Sequence, residues 1–113
     1  MKDPFRKSNH AAVLASDLKA ARDFYENVME LELVNSTDEQ LVFKTGDSFF
    51  YVIYNPDCTG TVLEFSVDDL NASRDRLMNK GCRVIKWEGK GKDCYMQDPF
   101  GMIFNLWEET AEK

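Results

Sequence analysis

The sequence predicts an α+β chain made of two copies of one strand–helix–strand–strand–strand module. Three observations carry this: a short internal repeat, strand-like apolar runs in the same order around each copy, and turn signals between them. Asp17-Leu18-Lys19-Ala20-Ala21-Arg22-Asp23 matches Asp69-Leu70-Asn71-Ala72-Ser73-Arg74-Asp75 at five of seven positions, 52 residues apart. A repeat of this kind is the mark of a duplicated supersecondary unit.

An apolar run precedes each copy: His10 to Ala15 before the first and Thr61 to Val67 before the second. Each copy then reads as a helix start. Ser16 or Asp17 can cap the first helix and Asp68 or Asp69 the second, because a short oxygen-bearing side chain accepts from an otherwise unpaired N–H of the first turn. The predicted helices cover 17–29 and 69–79. Leu18, Ala21, Tyr25 and Val28 form one stripe, and Leu70, Ser73 and Leu77 form its counterpart. Gly81 stops the second helix, since glycine adopts the left-handed conformation of a helix C-terminus without a Cβ penalty. After the first helix, Glu32 to Ser36, Gln40 to Thr45 and Ser48 to Asn55 are rich in Val, Phe, Tyr and Ile, with Gly46-Asp47 as a hairpin turn. After the second come Arg83 to Trp87, Asp93 to Gln97 and Met102 to Glu108, with Asp98-Pro99-Phe100-Gly101 turning into the last strand. The link Asn55 to Gly60 is too short for a domain boundary. The expectation is therefore one domain over 1–113, with module one at about 9–55 and module two at about 60–108.

At 113 residues, with 43% hydrophobic and 30% charged side chains, the composition is that of a globular domain rather than a disordered or fibrous chain. No apolar run approaches the roughly 20 residues that span a bilayer, and the charged N-terminal residues are not followed by the apolar stretch of an export signal. Fourteen basic and 20 acidic residues give a net charge of −6, so a nucleic-acid partner is not expected, while cationic ligands are mildly attracted. Cys58, Cys82 and Cys94 form no CxxC pair, which argues against a zinc site or redox dithiol and suits a reduced, cytoplasmic protein. Gly89-Lys90-Gly91-Lys92 lacks the strand-to-helix context of a phosphate loop and reads as a hairpin loop.

His10, Ser16-Asp17-Leu18, Asp23-Phe24-Tyr25, Val67-Asp68-Asp69-Leu70 and Asp98-Pro99-Phe100-Gly101, in this order, resemble the glyoxalase / bleomycin-resistance / extradiol-dioxygenase (vicinal oxygen chelate) superfamily over about Asn9 to Glu108. The resemblance implies two βαβββ modules in a curled mixed sheet around a cavity, often completed in a homodimer. It also implies, in metal-binding members, one ligand on each of four strands. His10 matches the first-strand His, and the other three places fall at about Tyr51, at Val62 and at Asn105. Val62 cannot ligate and Asn105 offers only a neutral carbonyl, so no metal and no cofactor is expected.

Strand alternation places His10, Phe49, Tyr51, Glu64, Asn105 and Trp107 on the face implied to line the cavity. That face is aromatic with a few polar groups, as ligand sites tend to be. The opposite faces, with Val13, Val52, Leu63, Phe65, Val67, Phe104 and Leu106, should pack under the helices. The leading expectation is a small-molecule-binding protein of the bleomycin-resistance type, taking an aromatic or cationic organic ligand as a homodimer, with Phe5 and Trp107 available to the interface. The alternative is a lyase, isomerase or dioxygenase-like enzyme of the same superfamily, with His10 as general base or atypical metal ligand and Tyr51 or Glu64 assisting. Trp87 and Tyr95 read equally well as rim aromatics or hairpin packing.

Overall fold

The computed structural model describes residues 3–87, 89 and 93–109, so the expected loop over Lys90 to Lys92 lies outside the described residues. The chain is α+β, with eight strands and two helical segments among the described residues. It divides into two compact units, Asn9–Thr61 and Met1–Ser8 with Val62–Lys113.

The first unit holds most of β1 (Arg6–Ala15), then α1 (Leu18–Arg22), β2 (Glu32–Ser36), β3 (Gln40–Thr45) and β4 (Ser48–Tyr54). Its sheet runs β2-β3-β4-β1, with β1 parallel to β4 and the remaining pairs antiparallel. Register pairs Val13 with Val52, Leu41 with Val52 and Phe43 with Phe50, so these side chains share one face. That face carries the core of Leu41, Phe43 and Val52, against which Leu18, Ala21 and Tyr25 of the helical stripe pack.

Asp17 caps α1: its Oδ1 accepts from the Ala20 N–H at 3.0 Å. The helix then departs from the uniform 17–29 expected. After five α-helical residues it widens into a π-helix over Asp23–Val28, where Met29 N–H reaches back to the Phe24 carbonyl. The wider turn breaks the 3.6-residue spacing, which leaves Tyr25 on the core and carries Val28 to solvent at 63% exposure. The turn ends at Glu30, held at φ 58.

The second unit holds most of β5 (Gly60–Val67), then α2 (Leu70–Asn79), β6 (Arg83–Trp87), β7 (Cys94–Gln97) and β8 (Ile103–Glu108). Its sheet runs β5-β8-β7-β6, again with one parallel pair, β5 with β8, and antiparallel neighbours. Val67, Leu70, Cys94, Met96, Phe104 and Leu106 form its core on the helix side. Asp69 caps α2 as Asp17 caps α1, accepting from Ala72 N–H at 3.0 Å. Two further carboxylates hold this helix start. Glu108 Oε2 accepts from Leu70 N–H at 2.8 Å, and Asp3 accepts from the backbone N–H groups of Asp68 and Asp69. Burial opposes ionisation of Asp3, but these two hydrogen bonds and Arg6 outweigh it and hold the carboxyl below its ordinary range.

Gly81 ends α2 as expected, at φ 104, with Cys82 N–H on the Leu77 carbonyl at 3.0 Å and Gly81 N–H on the Met78 carbonyl at 3.3 Å. This is the two-bond closure that satisfies a helix's last carbonyls. Phe5, half-buried, packs against the second unit's core, with ring centroids 6.0 Å from Phe65 and 6.5 Å from Phe104. β1 starts at Arg6 rather than His10, because polar residues before the apolar run continue the extended backbone. No helix among the described residues is long and apolar enough to cross a membrane.

Candidate functional site

The six residues expected at the site fall into two groups, one on each unit, each on the sheet face opposite its helix. In the first unit, Ala12 pairs with Tyr51 and Leu14 with Ile53, which places His10, two residues before Ala12, on the face of Tyr51 and Phe49. Their rings confirm it: His10 lies 5.7 Å from Phe49 and 6.2 Å from Tyr51 between centroids, the latter edge-on. Phe49 is 36% exposed. This is an aromatic platform with one imidazole at its edge.

His10 carries a specific chemical state. The Phe49 backbone N–H donates to its Nδ1 at 2.9 Å. That bond needs the Nδ1 lone pair, so the proton of the neutral ring sits on Nε2. A neutral His10 thus presents an N–H at Nε2, and its basic nitrogen is engaged by backbone.

In the second unit, register aligns Glu64 of β5, Asn105 of β8, Tyr95 of β7 and Lys86 of β6 in one row across the sheet. Trp107 is on the same face of β8, opposite Ser66, and is half-buried. Glu64 is 9% and Asn105 3% exposed. Asn105 Nδ2 donates to Asp93 Oδ2 at 3.3 Å, while its Oδ1 is buried without a hydrogen-bond partner among the described residues. Buried carboxylate and amide groups on a sheet face cost stability unless something orients or uses them.

Trp87 is on the other side: it packs against the helix-side core, with the Arg74 guanidinium 3.8 Å from its ring centroid. Its role is hairpin and helix packing. Tyr95 falls in the polar row.

The four places that the resemblance assigns to metal ligands do not fit a divalent catalytic metal. Val62 is aliphatic and fully buried, Asn105 is neutral, Tyr51 is no carboxylate, and the Nδ1 of His10 is engaged. Among the described residues no three His, Cys, Asp or Glu side chains cluster so as to hold a metal ion.

One feature was not visible in the sequence. A cleft of about 250 Å³ in the first unit is lined mainly by apolar groups, among them Tyr25, Met29, Leu31, Phe49 and Phe50, with Thr45 and Ser48 at its edge. It depends on the π-helical turn, which no residue pattern announces.

Similarity to known proteins agrees with this architecture. The family model described as the Glyoxalase/Bleomycin resistance protein/Dioxygenase superfamily matches residues 7–106. Among solved structures, homoprotocatechuate 2,3-dioxygenase from Brevibacterium fuscum is similar over 95% of this chain and 37% of its own, with a TM-score of 0.63 at 18% identity. The chain thus spans about a third of the length of that dioxygenase. A hypothetical protein from Bacillus halodurans is similar over 96% of both chains, with a TM-score of 0.58 at 11% identity. No curated protein matches the sequence. Identities this low show a shared fold.

Proposed function

The chain belongs to the glyoxalase/bleomycin resistance protein/dioxygenase superfamily, and from that premise we propose that it is a small-molecule-binding protein of the bleomycin-resistance type, acting without the superfamily's catalytic metal. The observation that carries the reading is the sheet face of the second unit. Glu64 and Asn105 are buried there away from the helix side, and Trp107 offers a half-buried indole on the same strand as Asn105. A core needs neither a buried carboxylate nor an unpaired amide oxygen, whereas a ligand site uses a few polar groups set in apolar surroundings. His10, Phe49 and Tyr51 supply aromatic surface to the same reading.

The proposed ligand is a flat aromatic molecule, favoured when it carries positive charge. Stacking a cation on the Trp107 indole contributes about 0.5–2 kcal/mol, and a charge-assisted hydrogen bond to Glu64 roughly 1.5–3 kcal/mol. With apolar burial these permit micromolar affinity, about −8 kcal/mol, after the cost of association. The reading includes a single domain of two modules, a cytoplasmic location and a homodimer. Dimerisation is supported by Phe24, Val28, Met29 and Val34, large apolar side chains exposed at 45–63%. Light scattering should give twice the 13.1 kDa chain mass, and a monomer at all micromolar concentrations would remove that part.

The binding test uses a Trp87→Phe protein, in which Trp107 is the one tryptophan left. Flat aromatic cations such as acridinium or ethidium should quench it saturably. Calorimetry on Trp107→Ala should show an affinity loss of about tenfold or more, with His10→Ala within about twofold. Absence of any saturable response at roughly a hundred times the micromolar scale would end the proposal.

A further inference from the structure

The cleft of the first unit is roofed by two unfavourable backbone conformations close together. The π-helix over Asp23–Val28 is a wide and rarely used turn, and Glu30, just beyond it, holds φ 58, a left-handed conformation that costs any residue with a Cβ. Such conformations persist where the surrounding structure holds them, and they gather at sites that use them. We propose that the cleft binds a small neutral aromatic molecule of one or two fused rings that carries an N–H or O–H donor. The site lies on the helix side of the first unit and does not depend on the face of Trp107.

Its floor is strand. Ala11 pairs with Phe50 in the register that pairs Val13 with Val52, so both face the helix side, and Asn9 and Ser48, two residues before them, share that face. The single methyl of Ala11 leaves the space open. The roof is Tyr25, Met29 and Leu31. Two backbone bonds of 3.0 Å set it, Met29 N–H to the Phe24 carbonyl and Leu31 N–H to the Tyr25 carbonyl.

The lining specifies the occupant. A volume of about 250 Å³ is below the roughly 300–1,000 Å³ of pockets for drug-sized ligands and above the about 150 Å³ that takes benzene, which sets the size at one or two rings. Tyr25 and Phe50, with ring centroids 5.0 Å apart, and the thioether of Met29 offer surfaces that favour an aromatic partner. Among the described residues no acidic or basic side chain lines the cleft, so an ion would lose its hydration there without a counter-charge. The ligand is therefore neutral. The donor requirement comes from Thr45 and Ser48 at the edge. Ser48 Oγ donates to the Thr45 carbonyl at 3.1 Å, and the two hydroxyl oxygens are 3.2 Å apart, so the Thr45 hydroxyl proton goes to Ser48 and the pair has lone pairs left to offer.

The probe is indole, with 1-methylindole as the same ring system without the donor. The natural chain is titrated while the Ala11 and Leu31 methyl groups are followed by ¹H–¹³C correlation. Both should move with indole on one saturable curve with a midpoint below about 1 mM. 1-Methylindole should bind about fivefold or more weakly. In Thr45→Val the two should become equal within about twofold. In Ala11→Leu, which fills the floor, indole affinity should fall about tenfold or more. Should Ala11→Leu not fold, the natural chain and Thr45→Val still decide. No saturable methyl shift at roughly ten times that midpoint, or equal binding of the two compounds by the natural chain, refutes the proposal. Shifts confined to the Trp107 indole N–H also refute it and leave the charged-ligand reading in place. If the Ala11 methyl moves on dilution of the protein alone, a second copy of the chain fills the cleft and the small-molecule site is refuted.

Discussion

Replacing Gly81 by alanine should destabilise the second unit by an amount the structure lets one assemble. Gly81 has φ 104, beyond the left-handed region that side chains occasionally tolerate, so an L-residue there costs about 1–2 kcal/mol. The new Cβ would lie 3.1 Å from Pro99 Cγ, tighter than ordinary contact, and Pro99 belongs to a turn whose Asp98 carboxylate accepts from the N–H groups of both Phe100 and Met102. That crowding adds a few tenths of a kcal/mol. Against this, alanine restricts the unfolded chain and recovers about 0.4–1 kcal/mol. The net is a loss of about 0.3–2 kcal/mol, near 1 at the centre of that range, or roughly 4 °C in Tm. Urea denaturation should show a lower midpoint at unchanged slope. Gly46→Ala supplies the contrast: φ is 64 and nothing lies within 4 Å of the added Cβ, so the loss should be smaller. A Gly81→Ala protein as stable as the natural chain, or less affected than Gly46→Ala, would refute the helix closure on which α2 and the Pro99 turn depend.

Three further outcomes follow from the same packing. Asp69→Ala should cost about 1 kcal/mol through loss of the α2 cap, read by the same denaturation, with Asp69→Asn nearly neutral. Burial pushes the Cys94 thiol up to about 11, against 9.0 for a free thiol. Below pH 9 both folded and unfolded chains keep the proton and stability is unaffected. Between pH 9 and 11 the unfolded thiol ionises first, so Cys94 should take up to about 3 kcal/mol from stability, an alkaline loss absent in Cys94→Ala. The neutral His10 ring should show, by long-range ¹H–¹⁵N correlation, a protonated Nε2 and a bare Nδ1; the opposite tautomer would break the assigned Phe49 contact.

Much of the architecture was legible because local chemistry repeats. Asp17 and Asp69 cap the same turn in both copies, Gly81 closes a helix, and alternation in β4, β5 and β8 separates a helix-side core from a second face. The exceptions have physical causes. Tyr25 and Val28 share a stripe only if the helix keeps its α pitch; the π-turn separates them, with Tyr25 packed against Phe43 and Phe50. Phe5 packs on Phe65 and Phe104, some 60 and 99 residues away, a contact that no local pattern announces. At the site, side-chain types and faces were readable, whereas the partners were not. The Phe49 N–H on His10 joins residues 39 apart, and the Asp93 contact that orients Asn105 depends on the β7–β8 register.

The central claim is that the sheet face carrying Asn105 and Trp107 receives a flat, positively charged organic molecule. The direct measurement is a two-dimensional ¹H–¹⁵N titration of the natural chain with naphthylmethylammonium, following the Trp107 indole N–H and the Asn105 side-chain amide. Both should shift saturably with one midpoint near the micromolar range, while the Trp87 indole, beneath Arg74 on the helix side, stays in place. Shifts confined to Trp87 and the helix-side residues, or no saturable shift at millimolar ligand, would contradict it.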